Sequence, residues 1–223
     1  MSDFDALLGE SLAPAHISYD AAMRLWEAWL AAYPLPTNAA LDARLADPGT
    51  RAGFAALCRA RGIYHFPTVE FVAALTALLR RLPAPYVEVG AGQGDLARAI
   101  RADGLPIVAS DDGTWWSDSL PDDVARCDLS TALARYRPTS VLCVWPPRAT
   151  DWPALFRAAS TVQSYLLIGD GPRGMTGNVA AWEDAPGWRH RWLPHLAALG
   201  RCRLDADGAL HTRALLVRRG EAV

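Results

Sequence analysis

The sequence predicts an α/β fold preceded by a helical N-terminal extension. Three observations carry that prediction. Residues 1–82 repeat their apolar side chains at three- and four-residue spacing, as amphipathic helices do. From residue 83 onward, short apolar runs alternate with helix-like segments, the pattern of parallel strands joined by crossover helices. One of those runs leads straight into a glycine-rich turn that opens a helix. At 223 residues the chain fits one elaborated unit better than two independent domains. Residues 1–82 are expected to form the extension, and residues 83–223 the core.

In the extension, Asp20 to Leu30 is the first helix, started near Tyr19-Asp20 and ended by Pro34 and Pro36. A second helix is expected over Ala39–Leu45 and a third over Thr50–Arg61, closed by Gly62. An apolar, aromatic loop follows, Gly62-Ile63-Tyr64-His65-Phe66-Pro67. Thr68 can then cap a long helix over Val69–Leu82, with Glu70 in its first turn, where a carboxylate suits the helix dipole. Pro83 and Pro85 stop it.

In the core, the expected strands are Tyr86–Val89, Pro106–Ser110, Ser140–Val144, Ser164–Ile168 and Thr212–Val217. Helices are expected over Asp95–Ala102 and Pro153–Ser160. Trp26 and Trp29 read as core residues, and Trp182, Trp188 and Trp192 as packing.

Composition excludes several functions. Lys+Arg total 22 against 24 Asp+Glu, a formal charge of −2, and every one of the 22 is arginine. Lysine Schiff bases and Walker-type phosphate-binding lysines are therefore excluded. The near-neutral balance argues against a protein built to lie on nucleic acid. The four cysteines, Cys58, Cys127, Cys143 and Cys202, are widely spaced without a C-x-x-C, which argues against a disulfide framework or a zinc site. No metal site is expected, and neither G-x-S-x-G nor H-E-x-x-H occurs. The acidic start is no signal peptide and no apolar run reaches membrane-spanning length, so a cytoplasmic protein with no membrane partner is expected.

The most informative stretch is Glu88-Val89-Gly90-Ala91-Gly92-Gln93-Gly94-Asp95. Glycines there let the chain turn sharply and a ligand approach the backbone. The spacing is not G-x-G-x-x-G, because Asp95 stands at the third position, and a pyrophosphate would be repelled by it at a helix start. What stands instead is acidic-x-Gly-x-Gly-x-Gly.

This motif resembles the first motif of the class I S-adenosylmethionine-dependent methyltransferases, and the resemblance covers roughly residues 84–217. It implies a Rossmann-like fold, a mostly parallel sheet with an antiparallel last strand. It also implies S-adenosyl-L-methionine as cofactor, with Glu88, Gly90, Ala91, Gly92 and Gly94 around its methionine and ribose parts. Asp111 matches the acid after the second strand that holds the ribose hydroxyls, with Asp112 beside it. Asp128 matches the residue that meets the adenine amine. Trp145-Pro146-Pro147-Arg148 looks like the x-Pro-Pro-aromatic element of amino-group methyltransferases, with Trp145 in place of Asp, Asn or Ser and Arg148 in place of the aromatic. The chemistry of the residues agrees: a sulfonium cation with a ribose and no phosphate is suited by carboxylates and a close backbone.

In an open α/β sheet the ligand lies beyond the carboxyl ends of the strands. Trp116, Pro146, Arg148 and Arg173 are therefore the candidates for the acceptor, the two arginines able to hold a carboxylate bidentately. Trp145 could offer its face to a sulfonium. Asp170, after the Leu166–Ile168 run, and His65, on the loop before residue 69, are the candidate base or orienting groups. Together these imply a methyltransferase acting on a small molecule, nitrogen in preference to oxygen, with the N-terminal helices as a lid. Two alternatives stay open: a protein of this fold that binds the cofactor without methyl transfer, and a nucleic-acid methyltransferase, which the charge disfavours.

Overall fold

The computed structural model describes residues 19–32, 35–114, 120–207 and 209–220. In chain order these form α1 (Tyr19–Ala32), α2 (Asn38–Ala46), α3 (Pro48–Ala60), β1 (His65–Phe66), α4 (Val69–Leu79), β2 (Tyr86–Val89) and α5 (Asp95–Ala102). Then come β3 (Ile107–Asp111), β4 (Val124–Arg126), α6 (Leu129–Tyr136), β5 (Ser140–Val144), α7 (Trp152–Ala158) and β6 (Ser164–Gly169). A 3₁₀ turn (Val179–Trp182), β7 (Trp188–Trp192), α8 (Pro194–Leu199), β8 (Arg201–Cys202), a second 3₁₀ turn (Arg203–Asp207) and β9 (Arg213–Arg219) complete the chain. The chain divides into two compact units. One takes the described residues up to Glu70 together with 200–211, and the other takes the remainder.

The first unit is built on α1, α2 and α3, where the apolar periodicity places helices. Thr37 caps α2, its side chain accepting from the Ala40 amide. Trp26, Leu41, Phe54 and Leu57 are fully buried and share one core with Phe66. Phe54 packs on Trp26 at 5.0 Å and on Phe66 at 5.1 Å between ring centroids. β1 pairs antiparallel with β8, His65 opposite Cys202 and Phe66 opposite Arg201. Arg201 is tied to α2 through a bidentate pair, its Nε and Nη2 donating to Asp42 at 2.7 and 2.8 Å.

The second unit is a seven-stranded sheet in the order β4-β3-β2-β5-β6-β9-β7. The first five are parallel, and β9 runs antiparallel to both β6 and β7. Every position of β2 and β6 is buried, as a parallel strand covered on both faces must be, so these segments read as continuous apolar runs. On one face Val87, Val141, Tyr165, Leu167, Leu215 and Val217 pack with Ala132, Leu133 and Phe156 of α6 and α7. Trp182 is buried and stacks on Trp192 at 5.9 Å, while Trp188 packs on Tyr165 at 5.6 Å.

β1, β4, α6, β7, α8 and β8 are elements that periodicity did not assign, β1 lying in the segment expected to be a loop. β4 is three residues long, and β7 is an edge strand whose Trp-Arg-His-Arg-Trp sequence carries no apolar run. Both are held by pairing with a neighbour rather than by their own pattern. No helix among the described residues is long and apolar enough to cross a membrane.

Candidate functional site

β2 ends at Val89 and the chain turns through Gly90, Gly92 and Gly94, with φ of +65°, +55° and +78°, before α5 begins. Such angles strain any residue with a Cβ. Two of the glycines are also required by space. A Cβ on Gly90 would lie 2.8 Å from the Trp152 ring, and one on Gly94 would lie 2.5 Å from Cγ2 of Val124. The Ala91 amide donates to the Ser110 carbonyl at 3.0 Å, anchoring the turn on β3.

Asp111, the last residue of β3, is the hub of this turn. Its Oδ2 accepts from the Gly92 amide and its Oδ1 from the Gly113 amide, both at 2.8 Å. Asp112 closes its own small turn, Oδ1 accepting from the amide and hydroxyl of Thr114 at 2.8 and 2.7 Å. The Arg126 guanidinium of β4 lies against Gly113. Asp128 is the N-cap of α6, accepting from the Thr131 amide at 2.7 Å, and these hydrogen bonds hold its carboxyl below the usual range.

Glu88 lies within β2, 3% exposed. Burial pushes its carboxyl up to about 8, against the opposing pull of Arg101 and a hydrogen bond from the Ala97 amide. That amide belongs to the first turn of α5, whose N-cap Gly94 has no side chain to offer. Glu88 thus supplies from the strand below the acceptor that the helix lacks at its own cap. Its Oε2 is buried without a hydrogen-bond partner.

Beyond β5 and β6, two loops are laced together. Trp145 takes a left-handed conformation, φ +62°, and its amide donates to the Ile168 carbonyl at 2.7 Å. Gly177 is bonded on both sides: its amide donates to the Pro146 carbonyl at 3.3 Å and its carbonyl accepts from Ala149 at 2.8 Å. Asp170 closes the second loop on itself. Its carboxylate accepts from the Met175 amide at 2.6 Å and from the Thr176 amide and hydroxyl at 3.0 and 2.5 Å. Both oxygens are therefore engaged with the loop they begin.

The structure gathers Glu88, Gly90, Ala91, Gly92, Gly94, Asp111 and Asp112 around the ends of β2 and β3. It gathers Trp145, Pro146 and Asp170 around the ends of β5 and β6. Arg148 and Arg173 are exposed on the two laced loops. Trp116 lies outside the described residues. His65 sits half-buried in β1 of the first unit, and burial of its ring together with Arg201 pushes its imidazole down to about 3, so it is neutral at physiological pH. Trp152 and Arg126 were not singled out from the sequence, and Thr176 only as part of the loop after the Leu166–Ile168 run. Trp152 had one local signal, its place between a capping Asp151 and Pro153 at a helix start.

No protein-family model matches the chain, and no curated protein does. Solved structures do match. A magnesium protoporphyrin IX methyltransferase from Synechocystis PCC 6803 with bound SAM is 15% identical, over 68% of this chain and 79% of that one, at a TM-score of 0.43. Human N-acetylserotonin methyltransferase in complex with SAM is 15% identical, over 98% of this chain and 66% of that one, also at 0.43. A 1,6-didemethyltoxoflavin-N1-methyltransferase from Burkholderia thailandensis, with its namesake compound and S-adenosylhomocysteine bound, is 16% identical over 69% and 78% at 0.39. At such scores the fold rests on the molecule's own topology. A mostly parallel sheet with an antiparallel last strand, and a glycine turn held by the acid that ends the next strand, make this a Rossmann-like α/β fold.

Proposed function

We propose that the protein is an S-adenosylmethionine-dependent methyltransferase acting on a small molecule, with nitrogen preferred over oxygen as the methylated atom. The observation that supports it most is the bond from the Gly92 amide to Asp111, which ties the glycine turn to a carboxylate at the mouth of the sheet.

The donor set suits the cofactor. A carboxylate offers about four lone-pair sites. The Gly92 and Gly113 amides take one on each oxygen of Asp111, leaving one on each for the two hydroxyls of a ribose. The turn presents backbone without a Cβ at Gly90, Gly92 and Gly94, and Asp95 follows it, which suits a phosphate-free ligand. When bound, the cofactor supplies an activated methyl group on a sulfonium centre. The chain's part is to hold and aim.

For the acceptor, Trp145 and Pro146 stand at the end of β5, and the Pro146-Pro147 pair underlies the preference for nitrogen. Asp170 orders the loop beside them. Transfer then depends chiefly on positioning, since an amine that arrives unprotonated needs no base.

Titration calorimetry of S-adenosylmethionine and S-adenosylhomocysteine tests the cofactor assignment. Micromolar binding is expected, and its absence in the wild type would remove the proposal. Release of S-adenosylhomocysteine with an acceptor then separates methyl transfer from cofactor binding alone.

A further inference from the structure

The mouth of the sheet is charged in two halves. At the ends of β3 and β4 stand Asp111, Asp112 and Asp128, with Arg126 as the basic residue among them. Beyond β5, β6 and β9 the balance reverses. The antiparallel direction of β9 puts its first residue, Arg213, level with Gly169 at the end of β6, and therefore at the mouth. Its aliphatic stem packs over Gly171, where a Cβ would lie 3.3 Å from Arg213 Cγ. Arg173 follows two residues later on that same loop. Arg148 lies in the turn that Gly177 clamps from both sides, so its backbone is fixed beside the loop carrying Arg173.

All three arginines are exposed, and none is paired with a carboxylate among the described residues. The acids nearby are committed elsewhere. Asp170 is folded onto the Met175 and Thr176 amides, and Asp151 caps α7 and pairs with Arg157 at 3.5 Å. Three exposed guanidinium groups without a carboxylate partner, of which Arg213 also donates Nη1 to the Thr212 carbonyl at 3.1 Å, stand on one side of a mouth whose other side is acidic, and make a site for opposite charges at opposite ends: a cation over β2–β3 and an oxyanion over β5–β6–β9.

We infer that the methyl acceptor carries an oxyanion group, a carboxylate or a phosphate, held by Arg148, Arg173 and Arg213. This rests on the methyltransferase reading above and narrows its substrate class. The acidic half takes the cationic cofactor and the basic half orients the acceptor by its anion. Arg213 becomes a binding residue that no local sequence pattern marks.

The test uses the full chain loaded with S-adenosylhomocysteine. Matched probes are titrated into it calorimetrically: a series of amino-aromatic carboxylates, the corresponding aryl phosphates, and the methyl esters of both. Anionic members are expected to bind about tenfold or more tighter than their neutral esters. That preference is expected to vanish in the Arg148→Gln/Arg173→Gln/Arg213→Gln protein while affinity for S-adenosylhomocysteine stays unchanged, which also reports that the variant is folded. A stronger carboxylate or phosphate series identifies which oxyanion is held. Esters binding as well as the anions, no binding by any anionic probe, or a preference that survives the triple substitution overturns the inference. Failure of S-adenosylhomocysteine itself to bind the wild type is a different result, and it refutes the cofactor reading instead.

Discussion

The Asp111 carboxylate accepts the Gly92 amide at 2.8 Å across 19 residues of chain, so the acid that ends β3 also shapes the turn that ends β2. Its other oxygen holds the Gly113 amide at the same distance. A side chain 9% exposed thus fixes two backbone segments.

Removing that carboxylate should hurt binding more than folding. Asp111→Ala is expected to weaken S-adenosylmethionine binding about ten- to hundredfold, the worth of one or two charge-assisted hydrogen bonds. Asp111→Asn, which keeps one acceptor for an amide, should fall between. Calorimetry checks both, and an unchanged affinity in the alanine protein would remove Asp111 from the site.

Glu88 imposes a pH dependence on stability. Its carboxyl is raised from 4.5 to about 8, so between those values the folded chain keeps a proton that the unfolded chain has lost. The contribution is therefore full below about 4.5, declines as pH rises toward 8, and is flat above, with a slope of at most about 1.4 kcal/mol per pH unit. Glu88→Gln, permanently neutral, should remove that slope and be the more stable protein at pH 8. Urea unfolding at pH 5.5 and 8 decides it; parallel curves for the two proteins would show that Glu88 does not titrate this way.

Gly94 faces two separable costs. Gly94→Ala forces a Cβ onto a φ of +78° and to within 2.5 Å of Val124. A loss of about 1–3 kcal/mol from the conformation alone is expected, with the steric clash added. Adding Val124→Ala should recover only the steric part relative to the Val124→Ala single variant. Melting temperatures of the four proteins close the cycle, and full recovery in the double variant would mean that backbone strain plays no part.

Asp170 and Thr176 should behave as one device. Because the carboxylate accepts from the amide and hydroxyl of Thr176, Asp170→Ala and Thr176→Val should both loosen the loop. Both should raise the acceptor KM while leaving kcat within about threefold, since positioning at a loop is lost more than chemistry. A large fall in kcat for Asp170→Ala alone, with a changed pH profile, would instead make Asp170 the base.

The halves of the site differ in how far they can be read without the fold. The glycine turn was legible because its requirement is local: positive φ at 90, 92 and 94 demands glycine whatever surrounds it. Asp111 was singled out through the family resemblance, which implies an acid at the end of the second strand. Arg213 was not, because an antiparallel last strand was expected but its register was not: only the pairing of Arg213 with Gly169 of β6 sets that side chain at the mouth. Asp170 was placed correctly at a strand end, but its engagement with Met175 and Thr176 is a matter of loop closure that residue type does not reveal.

By itself, then, the sequence determined most of the helices, the buried strands and the glycine turn. These rest on interactions within a few residues: side chains repeating at helical spacing, apolar runs, caps, and backbone angles. Tertiary structure alone decided that three-residue β4 and arginine-rich β7 are strands, and that residues 200–211 complete the first unit through Arg201 and Asp42, 159 positions apart. It also decided which carboxylates are spent on amides and which arginines lack a carboxylate partner among the described residues. Those outcomes depend on partners distant in the chain, whose pairing follows from how whole elements pack and not from any pattern the partners carry.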